Sequence, residues 1–190
     1  MSKTLEATIE ITASPEQVWR VVSDLKRMGE WSPQCRRMIV RGGPVSAGTT
    51  TININKKGLL VWPTTSKVID FEPGRRLSFR INENRSIWSF TLEPTATGTR
   101  VTQRREAPTG TSKVSQTLVK YVLGGTEAFD DELTMGMNAT LARLKNEIEA
   151  ARAGLTFPPP LTYAGVPVDR QDPPARRAGP LRSRITDRQR

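Results

Sequence analysis

One stretch, Glu127 to Ala153, limits what this chain can become. Within it Phe129, Leu133, Met137, Leu141, Leu144 and Ile148 recur at steps of four, four, four, three and four. That spacing aligns six apolar side chains along one side of an α-helix. Asp131, Lys145, Asn146 and Glu149 fall on the opposite side. At about 1.5 Å per residue the helix is about 40 Å long, enough to cross a small domain. Burying its stripe is worth roughly 10 kcal/mol at most, so the rest of the chain must supply an apolar surface of matching length. Thr126 can cap the helix, and Asp130, Asp131 and Glu132 suit its positive end. Gly136, in mid-helix, costs about 1 kcal/mol in propensity. It marks either close packing against the covering layer or room for a bound molecule.

The preceding residues read as that covering layer. Leu5, Ala7, Ile9 and Ile11 alternate with Glu6, Thr8, Glu10 and Thr12, the pattern of a half-buried strand. In Ser14-Pro15-Glu16-Gln17, Ser14 is placed as a helix N-cap, Pro15 at the first helical position and Gln17 as the partner in a capping box. Val18, Trp19, Val21, Val22 and Leu25 give this short helix its buried side, and Lys26 to Pro33 ends it and forms a second short helix or turn. Strand signals then follow at short intervals: around Met38 and Val40, from Thr49 to Lys56, Leu59 to Phe71, Arg75 to Asn82, Arg85 to Pro94 and Thr99 to Glu106. Short turns separate them, which predicts an antiparallel meander. Val114, Leu118, Val119 and Val122 suggest a helix from about Ser112 to Leu123, broken by Gly124-Gly125. The whole is an α+β domain over residues 1–153, with a Pro- and Arg-rich tail over 154–190. The tail's few large apolar side chains do not offset the entropy of ordering it, so it is expected to be largely disordered.

Composition narrows the chemistry. The chain has no histidine, which removes the commonest general base and the usual catalytic triad and zinc sites. Its one cysteine, Cys35, excludes an internal disulfide and a cysteine-only metal site, so neither a metal nor a cofactor is expected. No apolar run is long enough to span a membrane, and the first residues lack the continuous apolar region of a signal peptide; a cytoplasmic location is the default expectation. Net charge is +10, of which the tail, with seven arginines and three aspartates, holds +4. The remaining charge is spread along the chain. That distribution argues for a solvated surface and against nucleic acid as partner.

The segment ITASPEQVWRVVSDLKRMGEWSP, with Ser14-Pro15-Glu16, Val18-Trp19, Asp24 and Glu30-Trp31-Ser32-Pro33, resembles the START-like (SRPBCC) superfamily. This superfamily comprises polyketide cyclases and dehydrases, lipid-transfer proteins and relatives of the birch-pollen allergen. FEPGRRLSFR and WSFTLEPTATGTRVTQ look like its strand pairs. The resemblance covers about residues 3 to 150. It implies a helix-grip fold, in which a curved antiparallel sheet of about seven strands wraps a long C-terminal helix, with two short helices after the first strand. It also implies a cavity between sheet and helix, able to take lipids, sterols, polyketides or plant hormones.

Alternation then assigns the wall. Ile52, Ile54, Trp62, Thr64, Leu77, Phe79, Ile81, Trp88 and Phe90 are expected to point inward, joined by Val101 and Gln103, with Met137 and Leu141 facing them from the helix. The same residues could instead fill an ordinary core. Pro63 argues for an irregular or edge strand beside Trp62, and Gly58, Leu59 and Leu60 for an apolar hairpin lip. Trp31 is either a core plug or a gate. Arg105 either reaches solvent or anchors a carboxylate or phosphate with its planar fork of donors. Asp24, Glu30, Asp70 and Glu72 read as surface or turn acids, and Cys35 as a small buried residue, since no histidine is present to activate it.

Three functions are therefore expected in decreasing order. The chain binds or carries a small hydrophobic or amphipathic ligand such as a lipid, fatty acid or polyketide, as a monomer or homodimer. Alternatively it is a cyclase/dehydrase-type enzyme working mainly by orientation. Or it is a toxin-like or interaction module using its basic surface and tail, where Arg176, Arg177, Arg182, Arg184, Arg188 and Arg190 could touch an anionic membrane weakly.

Overall fold

The alternating start of the chain forms strand β1, Leu5–Ile11, and Ser14 then turns it into helix α1, Pro15–Val22. The capping box is complete: the Ser14 hydroxyl accepts from the Gln17 amide, and the Gln17 side chain accepts from the Ser14 amide at 3.0 Å. A 3₁₀ turn, Leu25–Arg27, and a one-turn helix α2, Met28–Trp31, follow. Six further strands come next: β2 Cys35–Arg41, β3 Thr50–Lys57, β4 Leu60–Glu72, β5 Arg76–Ile81, β6 Ile87–Pro94 and β7 Thr99–Glu106. The last element is helix α3, Thr126–Arg152. The computed structural model describes residues 4–107 and 126–154. The helix expected at Ser112 to Leu123, the Phe129 side chain and the Pro/Arg-rich tail after Gly154 lie outside the described residues. Those described belong to the first of two units, Met1–Pro160 and Leu161–Arg190.

The seven strands make one curved antiparallel sheet in the order β1-β7-β6-β5-β4-β3-β2. It is a meander closed at one edge by the first strand, and α3 lies in its concave face as the helix-grip arrangement requires. Leu133, Met137, Leu141, Leu144 and Ile148 are buried, so the helical stripe does what its spacing demands. They join Ile11, Val18, Val22, Leu25, Leu77, Phe90, Leu92 and Val101 in a single core.

The two halves of α3 are held differently. Its C-terminal half is stapled to the end of β1: Lys145 Nζ donates to the Glu10 carbonyl at 2.9 Å, the Thr12 amide donates to Glu149 Oε1 at 2.8 Å, and Arg152 donates to the Thr12 carbonyl. The Thr12 amide, with help from Lys145, holds the Glu149 carboxyl below the usual carboxylate range. Arg143 donates to the Trp31 carbonyl at 3.1 Å, tying in α2. The N-terminal half, around Leu133 and Gly136, stands over open space instead. A Cβ at Gly136 would meet only Pro33 Cγ, at 3.5 Å. Of the two sequence readings of this glycine, close packing against the sheet is therefore corrected; the residue borders a small side pocket of about 30 Å³.

Candidate ligand cavity

Between the concave sheet and the N-terminal half of α3 lies a cavity of about 150 Å³, partly open to solvent. Met28, Met38, Trp62, Phe79, Ile81, Trp88 and Leu133 give it apolar walls. Ser32, Gln34, Cys35, Asn53, Asn55, Thr64, Asn84, Gln103 and Arg105 give it polar ones. Of the residues expected from sequence, Trp62, Thr64, Phe79, Ile81, Trp88, Gln103 and Arg105 stand on this wall.

The others do not. Ile52 and Ile54 face away. Their strand presents Thr51, Asn53 and Asn55 to the concave side, and Ile52 pairs with the exposed Ile39. The reason is register. The β3–β4 hairpin closes with Lys57 opposite Leu60, which places Asn55 opposite Trp62, Asn53 opposite Thr64 and Thr51 opposite Ser66. Paired residues share a face, so an inward Trp62 and Thr64 require inward asparagines. These polar groups satisfy one another: Thr51 Oγ1 lies 2.5 Å from Ser66 Oγ, and Asn55 Nδ2 donates to Thr64 Oγ1 at 3.0 Å. The hairpin loop was thus the signal that locates Asn53 and Asn55, and hydrophobicity alone pointed the wrong way.

Trp31 does not stand on the wall either; of its two readings, plug or gate, its place is that of the plug. It is 2% exposed, its indole N–H donates to Glu147 Oε2 at 2.7 Å and its ring lies 5.1 Å from the Arg27 guanidinium carbon. Phe90, Leu141 and Met137 are core residues beneath the cavity, Met137 touching only the side pocket. Met28, Ser32, Gln34, Cys35 and Met38 come from α2, β2 and the loop between them, a segment whose inward face was not assigned from sequence.

Pro63 sits as an edge residue should. Strand β5 begins to pair with β4 only at Ser66, so residues 60–64 have β3 as their one strand partner. The Thr65 amide, on that open side, is capped by both Glu83 carboxylate oxygens at 2.8 and 2.9 Å. Pro63, two residues earlier on the same side, has no amide to leave unpaired there. The hairpin tip therefore projects, with Leu59 fully exposed. Its base is held to α3 by the Lys57–Glu132 ion pair, and Gln34 also donates to Glu132, at 3.5 Å.

Two titratable groups face the cavity among the described residues, Cys35 and Arg105. Burial pushes the Cys35 thiol up from 9.0 to about 11, with a backbone hydrogen bond near Arg37 opposing. It is therefore a thiol, not a nucleophilic thiolate, at neutral pH. Below pH 9 the folded and unfolded chains are both protonated at this site; between 9 and about 11 the unfolded chain ionises first, so stability falls as pH rises through that window. Accordingly, iodoacetamide at pH 8 should alkylate the folded protein about 100-fold more slowly than the urea-unfolded chain. Equal rates would place Cys35 in water.

Arg105 is 7% exposed. Burial pushes its pKa down, and the negative charge of Asp130 partly opposes this.

A curved seven-stranded sheet gripping one helix over a partly polar cavity defines a class of small-molecule-cavity proteins. The chain belongs to the polyketide cyclase / dehydrase and lipid transport family, which it matches over residues 2–149. Among solved structures it is similar to the di-domain ARO/CYC StfQ from the steffimycin biosynthetic pathway, with TM-score 0.64 and 14% identity, covering 82% of this chain. It spans only 53% of that longer protein. It is similar to the Zhui aromatase/cyclase from Streptomyces sp. R1128, with TM-score 0.63 and 17% identity, over 82% of this chain and 100% of the other. The Polyketide_cyc-like protein Cgl2372 from Corynebacterium glutamicum is 28% identical with TM-score 0.55, over 81% of this chain and 96% of the other. A comparison with curated proteins gives no match. Among the described residues no helix is long and apolar enough to cross a membrane.

Proposed function

We propose that this protein holds a small amphipathic molecule between its sheet and α3. The observation that carries this reading is the wall itself. Aromatic and aliphatic side chains surround a space into which polar groups also converge, the composition expected of a ligand site and not of a filled core. The size of the space bears on the ligand. About 150 Å³ is small beside pockets for drug-sized molecules, roughly 300–1,000 Å³, but a cavity of about that volume admits a benzene ring. A compact body of one or two rings, or a short chain, suits it better than a long acyl chain lying wholly inside.

The family and its aromatase/cyclase relatives keep an enzymatic reading open, in which the cavity folds a reactive chain and orients it. Against it, the described wall offers a protonated thiol and a guanidinium but no carboxylate, lysine or tyrosine to move a proton. Binding is therefore the reading we favour.

Native mass spectrometry after gentle purification tests it. A stoichiometric small-molecule adduct is expected on the wild type. The variant Ile81→Trp, which projects an indole into the cavity, should lose that adduct while its melting temperature stays within a few degrees. An adduct that survives Ile81→Trp unchanged, or none on the wild type, counts against the proposal.

A further inference from the structure

Two polar side chains of β7 point into the concave face, Gln103 with an unanswered buried oxygen and Arg105 with donors that line the cavity. Along the concave face, Arg105 lies between Leu5 of β1 and Trp88 of β6. Gln103 lies between Ala7 and Phe90. Both neighbours of each are apolar, so neither finds a partner across the sheet. Gln103 is 5% exposed, and its Oε1 is the buried side-chain atom without a hydrogen bond among the described residues. Arg105 brings to the same space a guanidinium with five donors, on which the negative charge of Asp130 acts from α3. Leaving a buried atom such as Gln103 Oε1 unanswered costs free energy. Both line the cavity.

Resting on the binding reading above, we propose that the natural ligand is a compact carboxylic acid that also carries a hydroxyl. Its carboxylate takes the fork of Arg105 and its hydroxyl meets the amide of Gln103. Residues two apart on a strand project from the same face about 7 Å apart, roughly the length of an aromatic ring with its substituents. A hydroxyl serves whichever way the Gln103 amide is turned, since it can donate to the oxygen or accept from the nitrogen. Carboxylate is favoured over phosphate because Arg105 is the one cation on the described wall, whereas a phosphate dianion calls for further donors. Trp62, Phe79, Trp88 and Leu133 enclose the apolar body between the two polar ends.

Titration calorimetry of the full chain with four naphthalene probes, and naphthyl phosphate as a comparison compound, tests this: the probes are hydroxynaphthoate with its groups at opposite ends, naphthoate, naphthol, and the methyl ester of hydroxynaphthoate. Hydroxynaphthoate is expected to bind on the order of 10- to 100-fold more tightly than its ester. Arg105→Met should abolish that preference and leave ester affinity within about twofold. Gln103→Leu should remove the advantage of hydroxynaphthoate over naphthoate. Arg105→Lys keeps the charge but not the fork, so it should weaken the acid and spare the ester, and it maintains the test if the methionine variant does not fold. Equal affinity for acid and ester overturns the carboxylate inference while sparing the binding reading. Tighter binding of naphthyl phosphate than of naphthoate overturns it in favour of a phosphate ligand. Failure of all four probes removes both.

Discussion

Glu147→Leu should destabilise the protein by about 2–4 kcal/mol, whereas Glu147→Gln should cost noticeably less. The carboxylate receives the Trp31 indole N–H at 2.7 Å and Arg27 Nη1 at 2.8 Å. Arg27 keeps a second partner in Glu30, at 2.5 and 2.9 Å, and the two acids, Glu30 foremost, push its pKa up. These side chains are a third exposed or nearly so, and the Arg27–Glu147 pair by itself is worth only about 0–1 kcal/mol. The indole is different. Trp31 is fully packed, so leucine at 147 strands a buried donor at about 1–3 kcal/mol, while glutamine still offers an oxygen. The consequence reaches the cavity because Ser32, Gln34 and Cys35, immediately after Trp31, form part of its wall. Ligand affinity should drop in the leucine variant along with the urea midpoint, at unchanged slope. Equal midpoints for leucine and glutamine would show that the indole hydrogen bond contributes nothing.

That cluster also illustrates which parts of the molecule could be read in advance. Trp31 was visible as a large apolar residue after a short helix, but its partner lies 116 positions away on α3. No local pattern announces which glutamate on a solvated helix face reaches back to an indole. Local signals fared better. The α3 stripe, the Ser14–Gln17 box and the glycine turns each depend on residues within a few positions of one another, and each appears where the sequence places it. Strand β3 shows the middle case. In TTININKK both faces are plausible on hydrophobicity, because either isoleucines or threonine and asparagines could line the concave side. The choice follows from the partner strand, and there Thr64 and Ser66 supply hydroxyls that make an inward polar face tolerable. From sequence Arg105 is open between solvent and an anchoring role for a related reason. A lone arginine near a strand end says little until β1 and β6 are seen to flank it with Leu5 and Trp88.

The second large effect is expected at Gly98, where alanine should cost about 3 kcal/mol and lower the melting temperature by roughly 10 °C. The argument is one of contact, not of backbone conformation, because Gly98 does not have a positive φ. Its turn is closed by the Thr95 amide to the Gly98 carbonyl at 2.8 Å and the Gly98 amide to Thr95 Oγ1 at 3.1 Å. A Cβ there would stand 2.1 Å from the Ile11 carbonyl oxygen and 3.0 Å from the Ala13 amide. Those are backbone atoms and cannot rotate aside. The Ile11 carbonyl already accepts from Ala13 at 2.8 Å, and the neighbouring Thr99 hydroxyl donates to the Ala13 carbonyl at 2.7 Å. Relief would therefore require moving the end of β1 and the start of α1 together, away from the strand that carries Gln103 and Arg105. Two other glycines calibrate the measurement. Gly43→Ala meets nothing within 4 Å and should be nearly neutral. Gly136→Ala meets only Pro33 at 3.5 Å and should raise stability by up to about 1 kcal/mol through helix propensity. A Gly98→Ala protein that melts within 2 °C or so of wild type, beside those two controls, would mean that the β6–β7 turn does not press on the β1–α1 junction.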